Sequence, residues 1–492
     1  MGENINANLK NVDIRLFANN FNGGIDDIKL DARMKFGELG MVYDALVAAL
    51  KQTNLTLITT PKKDTKGLNA RLTLDSGDVE ANSGEGYGLS THSLYVETSV
   101  QQNANQTGLL NQWNPDAKFT LGNAEVKIDG LDENIHISNI NFLLNPDMLD
   151  FKKCTFRLGQ SDLSLRGSVI GIKDWMENHD NTMKGDFRLT TDLLNVKEIV
   201  QLINGLNITK DPKPKKAKSD EISPFIVPTG IDLDIDVNTK KTVYGDIDFS
   251  DLSGTITMKD SSLILNELRF GNKAAKMQLS ALYQSSNKDN LFFAMDFHLM
   301  DVQIKDMLHL IPYFDTLVPM LKTFDGQCEF NIDVETNLKS NYHPEISTIR
   351  AAADIKGKSL TVNDQFTFTK ITNLLGVSTN GEYRVDTLDV QLTFSENKLN
   401  IWPSQIAIGK YNAIVDGFMT LYNIAEYHIA VTESPVPLPL GLKLWGPLDK
   451  LKFDLETSKY PNHYTPITRS ERKQFHQDLR KLIADRLKRK RK

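Results

Sequence analysis

The feature that most constrains this chain is a strict alternation of apolar and polar residues, which recurs along most of its length. Ile231 to Asn238 reads IDLDIDVN, and Leu291 to Leu299 and Leu388 to Phe394 alternate in a similar way. Successive side chains of a strand point to opposite faces of a sheet, so each segment predicts a strand with one dry and one wet face. Turn-forming clusters such as Lys259 to Ser262 separate many segments and indicate hairpins.

We therefore predict a mostly β fold: a long curved antiparallel sheet forming a repeating β-groove, with a few short helices and a C-terminal amphipathic helix. Helical periodicity is confined to Met41 to Leu50, Val196 to Ile203, Ile304 to Ile311 and the tail from Arg469. So few helices cannot cover the apolar face of a long sheet, which must be closed by the sheet itself, by a second sheet or by a ligand. Alternation by itself favours a β-sandwich, in which two apolar faces pack together.

An internal repeat supports a division into parts. Three pairs of segments match in residue type: VKEIVQLI at Val196 with IKDMLHLI at Ile304, DIDVNTK at Asp234 with NIDVETN at Asn331, and MKDSSLIL at Met258 with IKGKSLTV at Ile355. The last two pairs share an offset of 97 residues. We predict an N-terminal β-groove part at 1–186, repeats at 187–466 with a flexible Pro- and Lys-rich linker at 210–221, and a basic helical tail at 467–492.

The charge of the chain is unevenly placed. The net charge is −6, but residues 469–492 carry eleven basic and three acidic residues, a local +8, which leaves about −14 on the remainder. An acidic body argues against nucleic acid as a partner, because phosphate binding needs basic charge on the folded surface. The tail has an apolar stripe through Phe475, Leu479 and Leu482, and two interpretations stay open: docking on an anionic membrane, or a soluble terminal helix.

The sequence shows no pattern of a catalytic, metal or cofactor site, so we predict a protein that is not an enzyme. The nine histidines have no metal-binding spacing, and neither a nucleophile elbow nor a phosphate-binding loop is found. Asp232, Asp234 and Asp236 share one strand face and are interpreted as a solvated outer surface rather than a calcium site. Cys154 and Cys328 are predicted to be buried free thiols.

The segment from about Phe187 to Leu455 resembles the C-terminal region of the AsmA family, bacterial relatives of bridge-like lipid-transfer proteins. The likeness is carried by the turn from a Phe-x-Leu strand into VKEIVQLI and a Pro/Lys linker, by the strand cadence of Pro228 to Gly271, and by PLPLGLKLWGPLDKLKFDLE at Pro437 to Glu456. The resemblance implies a periplasmic protein that is anchored in the inner membrane by an N-terminal helix. This sequence lacks a signal peptide pattern and that helix, so we expect a soluble chain or a fragment.

The resemblance further implies a groove that holds or conducts phospholipid acyl chains, with the inner and outer membrane surfaces and envelope proteins as partners. Residues on the more apolar face of their strands are the candidates for lining it: Leu233, Ile235, Val237, Ile256, Met258, Phe293, Met295, Phe297, Phe330, Ile332, Val334, Val390, Leu392 and Phe394. The alternatives are a non-lipid β-scaffold for outer-membrane protein assembly and, more weakly, a carbohydrate-active enzyme on a β-scaffold.

Overall fold

The structure is a computed structural model. It describes residues 5–19, 29–43, 45–62, 67–84, 86–103, 112–129, 131–177, 181–205, 224–310, 322–375, 383–409, 411–421, 424–432, 439–447, 450–460, 478, 481, 482 and 485. The predicted linker at 210–221 lies outside these residues. Of the predicted tail helix, only residues 478, 481, 482 and 485 are described, and all four are helical.

The predicted fold class is confirmed: the described residues are mostly β, and in each unit they form a long, curved, antiparallel sheet that is not closed. The strands are β1 Ile5–Asn19, β2 Lys29–Tyr43, β3 Leu46–Pro61, β4 Leu68–Ser83, β5 Tyr87–Gln101, β6 Pro115–Lys127, β7 Ile135–Leu144, β8 Met148–Leu158, β9 Ser161–Ile170, β10 Met183–Asn195, β11 Ile231–Tyr244, β12 Ile247–Lys259, β13 Ser262–Gly271, β14 Lys276–Asn287, β15 Asn290–Gln303, β16 Phe324–Leu338, β17 Arg350–Val362, β18 Arg384–Ser395, β19 Lys398–Ile408, β20 Tyr411–Thr420, β21 Ile424–Val431, β22 Leu440–Pro447 and β23 Lys452–Thr457.

The described helices are short: α1 Ile172–Glu177, α2 Val196–Gly205, α3 Ile304–Leu310 and α4 Gln365–Leu374, with one 3₁₀ turn at Ile346–Thr348. Helices were predicted at α2 and α3, and both are confirmed. The helix predicted at Met41 to Leu50 is wrong, because β2 ends and β3 begins within that segment. Its apolar residues belong to the two arms of a hairpin, and their combined spacing imitates a helical period.

The chain divides into two compact units. Unit 1 comprises residues 1–212 and 227–260, and unit 2 comprises residues 213–226 and 261–492. Unit 1 therefore contains β1 to β12, and unit 2 contains β13 to β23. The predicted boundary at residue 186 falls inside β10. In each unit the described strands lie in one hydrogen-bonded sheet, so the β-sandwich alternative is wrong for them.

Unit 1 is a meander with one exception. Each strand from β1 to β10 pairs antiparallel with the next one in sequence. The pairing of β10 with β11 is instead parallel, with Phe187 opposite Ile235 and Leu189 opposite Val237. The connection between them includes α2 and joins the end of β10 to the start of β11 at the opposite end of the strands, as parallel neighbours require. The sequence analysis expected antiparallel pairs throughout, and this step corrects it.

Unit 2 is antiparallel at every described step, from β13 to β23. The segments of the predicted repeat are not all equivalent in the structure. DIDVNTK and NIDVETN lie within β11 and β16, each of which follows a helix in the sequence. The third pair differs, because MKDSSLIL spans the β12–β13 turn whereas IKGKSLTV lies inside β17.

Candidate functional site

One face of the unit 1 sheet carries an apolar row that crosses all twelve strands. Its members are direct cross-strand neighbours: Ile14, Met34, Leu55, Leu74, Val96, Phe119, Phe142, Phe151, Gly167, Phe187, Ile235 and Ile256. At about 4.8 Å per strand, eleven spacings make the row roughly 50 Å long. Most of its side chains are half-buried. We call this surface the apolar face of unit 1.

Four phenylalanines form the centre of this apolar face. The rings of Phe119 and Phe142 stack with their centroids 4.7 Å apart, and Phe151 lies 5.9 Å from both Phe142 and Phe187. Between the last two, β9 contributes Gly167, with φ +155°. A Cβ atom there would lie 2.6 Å from Cδ1 of Phe187, so only glycine leaves room for the ring. The aromatic row thus remains continuous across β9.

The opposite face of unit 1 is polar and makes its own contacts. Asp232 pairs with Lys259 at 2.8 Å, and Asp236 accepts a hydrogen bond from Thr255 at 2.9 Å. Asp234 accepts one from Thr257. The acidic run of β11 therefore pairs with side chains of β12. No group of three or more His, Cys, Asp or Glu in the described ranges is arranged to hold a metal ion.

Helix α2 covers one end of the apolar face in unit 1. The carboxylate of Glu198 accepts hydrogen bonds from the backbone N–H groups of Gln160 and Ser161 and from the Ser161 hydroxyl, which fixes the helix to the β8–β9 turn. Leu202 packs against a buried cluster formed by Leu121, Ala124, Ile128, Ile135, Ile137 and Leu158. The four phenylalanines extend beyond this cluster and are half-buried. The helix therefore closes one part of the face.

Unit 2 repeats the same design. Its apolar row crosses eleven strands through Leu268, Leu279, Phe297, Ile332, Ala353, Leu392, Ile401, Gly417, Tyr427, Leu444 and Phe453. Gly417 has φ +145°, and a Cβ atom there would lie 2.8 Å from Cδ1 of Tyr427. An aromatic side chain thus covers a glycine in each unit. The sequence analysis did not detect this correspondence, because the glycine and its aromatic partner lie on neighbouring strands.

Near the first strands of unit 2, the segment at Phe225 lies against its apolar face. The backbone N–H of Phe225 donates to the Tyr342 hydroxyl at 2.7 Å, and its carbonyl accepts from the Tyr283 hydroxyl at 2.7 Å. The two tyrosine rings lie 6.2 Å apart. Burial, together with the neighbouring Tyr342, raises the pKa of Tyr283 well above its usual range. This contact anchors the segment that precedes β11.

Helix α4 covers another part of the apolar face in unit 2, and a cavity of ≈ 190 Å³ lies between the helix and the sheet. We call this cavity the slot. Its helix side is formed by Phe368, Ile371, Thr372 and Leu375. Its sheet side is formed by apolar side chains of six consecutive strands: Phe324, Val362, Val385, Ile406, Ile408, Tyr411, Ala413, Val415, Ile429 and Val431. The sequence analysis missed α4, because FTFT at its start alternates as a strand does.

All fourteen predicted lining residues lie on the two apolar faces. Leu233, Ile235, Val237, Ile256 and Met258 belong to unit 1, and the other nine belong to unit 2. Their exposure separates them into two classes. The buried ones, which serve as packed core, are Val237, Phe330, Val390 and Leu392. The other ten are half-buried and keep surface on which a ligand can lie.

The cysteines are free and buried, as predicted. Burial raises the pKa of the Cys154 thiol, and it raises the pKa of Cys328 to about 12. Thiolate is the reactive form of cysteine, so both groups are inert at neutral pH while the protein is folded. Cys154 lies on β8 in unit 1 and Cys328 on β16 in unit 2, so each thiol reports on the unfolding of its own unit.

Tyr427 predicts a measurable dependence of stability on pH. Burial raises the pKa of Tyr427 to about 12, against about 10 in an unfolded chain. The resulting stabilisation is complete below about pH 10 and is lost as the pH rises towards 12. Over this window the free energy of unfolding should fall by about 2–3 kcal/mol more in the wild type than in Tyr427→Phe. Urea titrations on both sides of the window measure this difference, and equal falls would contradict it.

A buried histidine in unit 2, His428, lies at the centre of a second group of titratable side chains. His428 is buried, its Nδ1 lies 2.5 Å from a carboxylate oxygen of Glu456, and its Nε2 accepts a hydrogen bond from the backbone N–H of Lys459 at 3.2 Å. Tyr460 donates to Asp416 at 3.1 Å. One ring nitrogen therefore contacts Glu456 within β23, and the other holds Lys459, which follows β23. The arrangement fastens the chain rather than presenting a base to a substrate.

No protein-family model matches this sequence, and no curated protein is significantly similar to it. The resemblance to the AsmA family therefore stays a prediction. None of the helices in the described ranges combines the length and the apolar character needed to cross a bilayer.

Proposed function

We propose that this protein holds or conducts phospholipid acyl chains along the apolar faces of its two units. The observation that carries the proposal is that an apolar row runs unbroken across each sheet while most of its side chains stay half-buried. A packed core would bury them. Polar side chains that do lie on the apolar face, such as Thr53 and Ser76, are buried and hydrogen-bond to each other, so they offer a ligand few free hydrogen-bonding groups.

The energetics suit an acyl chain. Each buried methylene contributes about 0.8 kcal/mol, from which the cost of ordering the chain is subtracted. Such binding is non-directional, so it fixes no single lipid species and allows a chain to move along the row. The charged head group would stay in water at the margin of the sheet, because burying it without partners costs several kcal/mol.

The proposed cellular location of this activity is based on the resemblance to the AsmA family and not on the fold. An AsmA-like protein would act in the periplasm, receive phospholipid from the inner membrane and support the assembly of the outer membrane. The inner and outer membrane surfaces and envelope proteins are the partners that this assignment proposes.

The test is to purify the full chain without detergent and to extract its lipids. We expect phospholipid at a stoichiometry of at least about one per protein, seen by native mass spectrometry and by phosphate analysis of the extract. Protein that carries no lipid, and that takes up no fluorescent phospholipid from vesicles, would overturn the proposal.

A further inference from the structure

The slot beneath α4 differs in chemistry from the rest of the apolar face. On the helix side Thr372 carries a hydroxyl, which already donates within α4 to the carbonyls of Phe368 and Thr369. The other polar residues that line the slot, Thr323, Asp364 and Tyr411, each already take part in an interaction of their own. Asp364 is exposed and lies at the margin. A polar or charged group placed inside would lose its hydration without gaining a partner, which costs free energy. The interior therefore suits only an apolar group.

The shape of the slot selects a chain over a compact molecule. Its sheet side extends over six consecutive strands, from Phe324 on β16 to Ile429 on β21, which is about 24 Å at 4.8 Å per strand. Its volume is ≈ 190 Å³. Apolar cavities of roughly 150 Å³ stay dry and take up small apolar ligands. A space of this volume has room for the end of one unbranched chain and not for two.

We infer that the slot receives the methyl end of a single unbranched acyl chain, whose head group stays outside in water. This inference rests on the proposed function and adds to it a defined site at which the methyl end of the chain is held. Along the open row a chain can slide, whereas beneath α4 it is enclosed on both sides. The slot is thus a holding site for one chain of the lipid.

A photoreactive fatty acid tests the inference on the full chain. The probe is a sixteen-carbon saturated fatty acid with a diazirine next to its methyl end, and mass spectrometry of the digested protein locates the cross-links. We expect cross-links in peptides of α4 and in those that contain Ala413 or Ile429. Further cross-links are expected on the apolar face of unit 1, near Phe142.

Two substitutions of alanine by phenylalanine make a matched pair. Ala413 lines the slot, whereas Ala407 is half-buried on the opposite, polar face and pairs with Thr387 and Asn412. Ala413→Phe should fill the slot and lower cross-linking around α4 at least tenfold, and Ala407→Phe should leave it unchanged. Phe368→Ala should widen the slot and admit a methyl-branched analogue of the probe, which serves as a readout if Ala413→Phe does not fold.

The outcomes separate this inference from the proposed function. Cross-links on the unit 1 face but never around α4 would overturn the slot and leave the proposed function standing. Equal labelling of wild type and folded Ala413→Phe around α4 would also overturn it. If no cross-link falls on either apolar face, both the slot and the proposed function fail.

Discussion

Aspartate at the centre of an apolar face is expected to remove bound lipid while the protein stays folded. Leu74 and Ile332 are half-buried members of the apolar rows in units 1 and 2. An acyl chain that lies over this carboxylate would strip water from it, which costs free energy. If the chain instead stays away from the carboxylate, the binding free energy falls by about 0.8 kcal/mol for each methylene that no longer contacts the apolar face. Four displaced methylenes amount to about 3 kcal/mol, or roughly a hundredfold in affinity. The Leu74→Asp/Ile332→Asp variant should therefore purify with little or no phospholipid.

The control for this variant is Thr73→Asp. Thr73 is the neighbour of Leu74 on β4, is also half-buried, and lies on the polar face opposite Thr56 and Glu97. It adds the same charge to the same strand without touching the apolar row, so lipid content should be unchanged. Phe330→Asp shows the other limit: Phe330 is 1% exposed, and its substitution should unfold unit 2. Lipid loss in Thr73→Asp equal to that in the double variant would contradict a binding role for the apolar faces.

Alanine at either aromatic-covered glycine is expected to destabilise the unit that contains it. A Cβ atom at Gly167 would lie 2.2 Å from the carbonyl oxygen of Asp186, and one at Gly417 would lie 2.2 Å from that of Glu426. The neighbouring backbone must shift, and the positive φ adds strain, so we expect a loss of about 2–5 kcal/mol in the free energy of unfolding. Both atoms struck are backbone atoms, which a side-chain rotation cannot relieve.

The buried thiols measure this effect unit by unit. In Gly167→Ala, Cys154 should react with a thiol reagent at lower urea than in the wild type, while Cys328 is unchanged. Gly417→Ala should show the reverse. Gly245→Ala is the control, because its φ is +61° but nothing lies within 4 Å of a Cβ atom there. It should cost only about 1 kcal/mol, the penalty of the left-handed conformation. Equal losses at Gly167 and Gly245 would show that the clash is absent.

Local patterns in the sequence were sufficient to predict the fold class. Ile231 to Asn238 alternates over a full strand, and the cross-strand partners of its apolar residues are apolar too, so the same signal specifies both the strand and its face. The helix at Val196 was visible because its period is that of a helix. The signal failed at Met41 to Leu50, where a hairpin brings two short apolar runs together, and at α4, where FTFT imitates a strand.

The candidate site was only partly predictable. The apolar side of each strand follows from alternation, so all fourteen predicted lining residues fall on the apolar faces; their role in lining a groove stays a prediction. Whether a residue on that face is buried or half-buried depends on what packs above it. Phe330 and Ile332 lie on the same face of β16, but Phe330 is buried and Ile332 is half-buried. The slot combines α4 with six strands between Phe324 and Val431, and no local pattern reports such a combination.

The single parallel step between β10 and β11 determines where the chain leaves unit 1. Twelve strands in a pure meander would begin and end at the same rim of the sheet. With one parallel pair, β1 begins at one rim and β12 ends at the opposite one. Tension applied to the two ends therefore acts diagonally, and its component along the strands loads several hydrogen bonds at once instead of peeling them one by one.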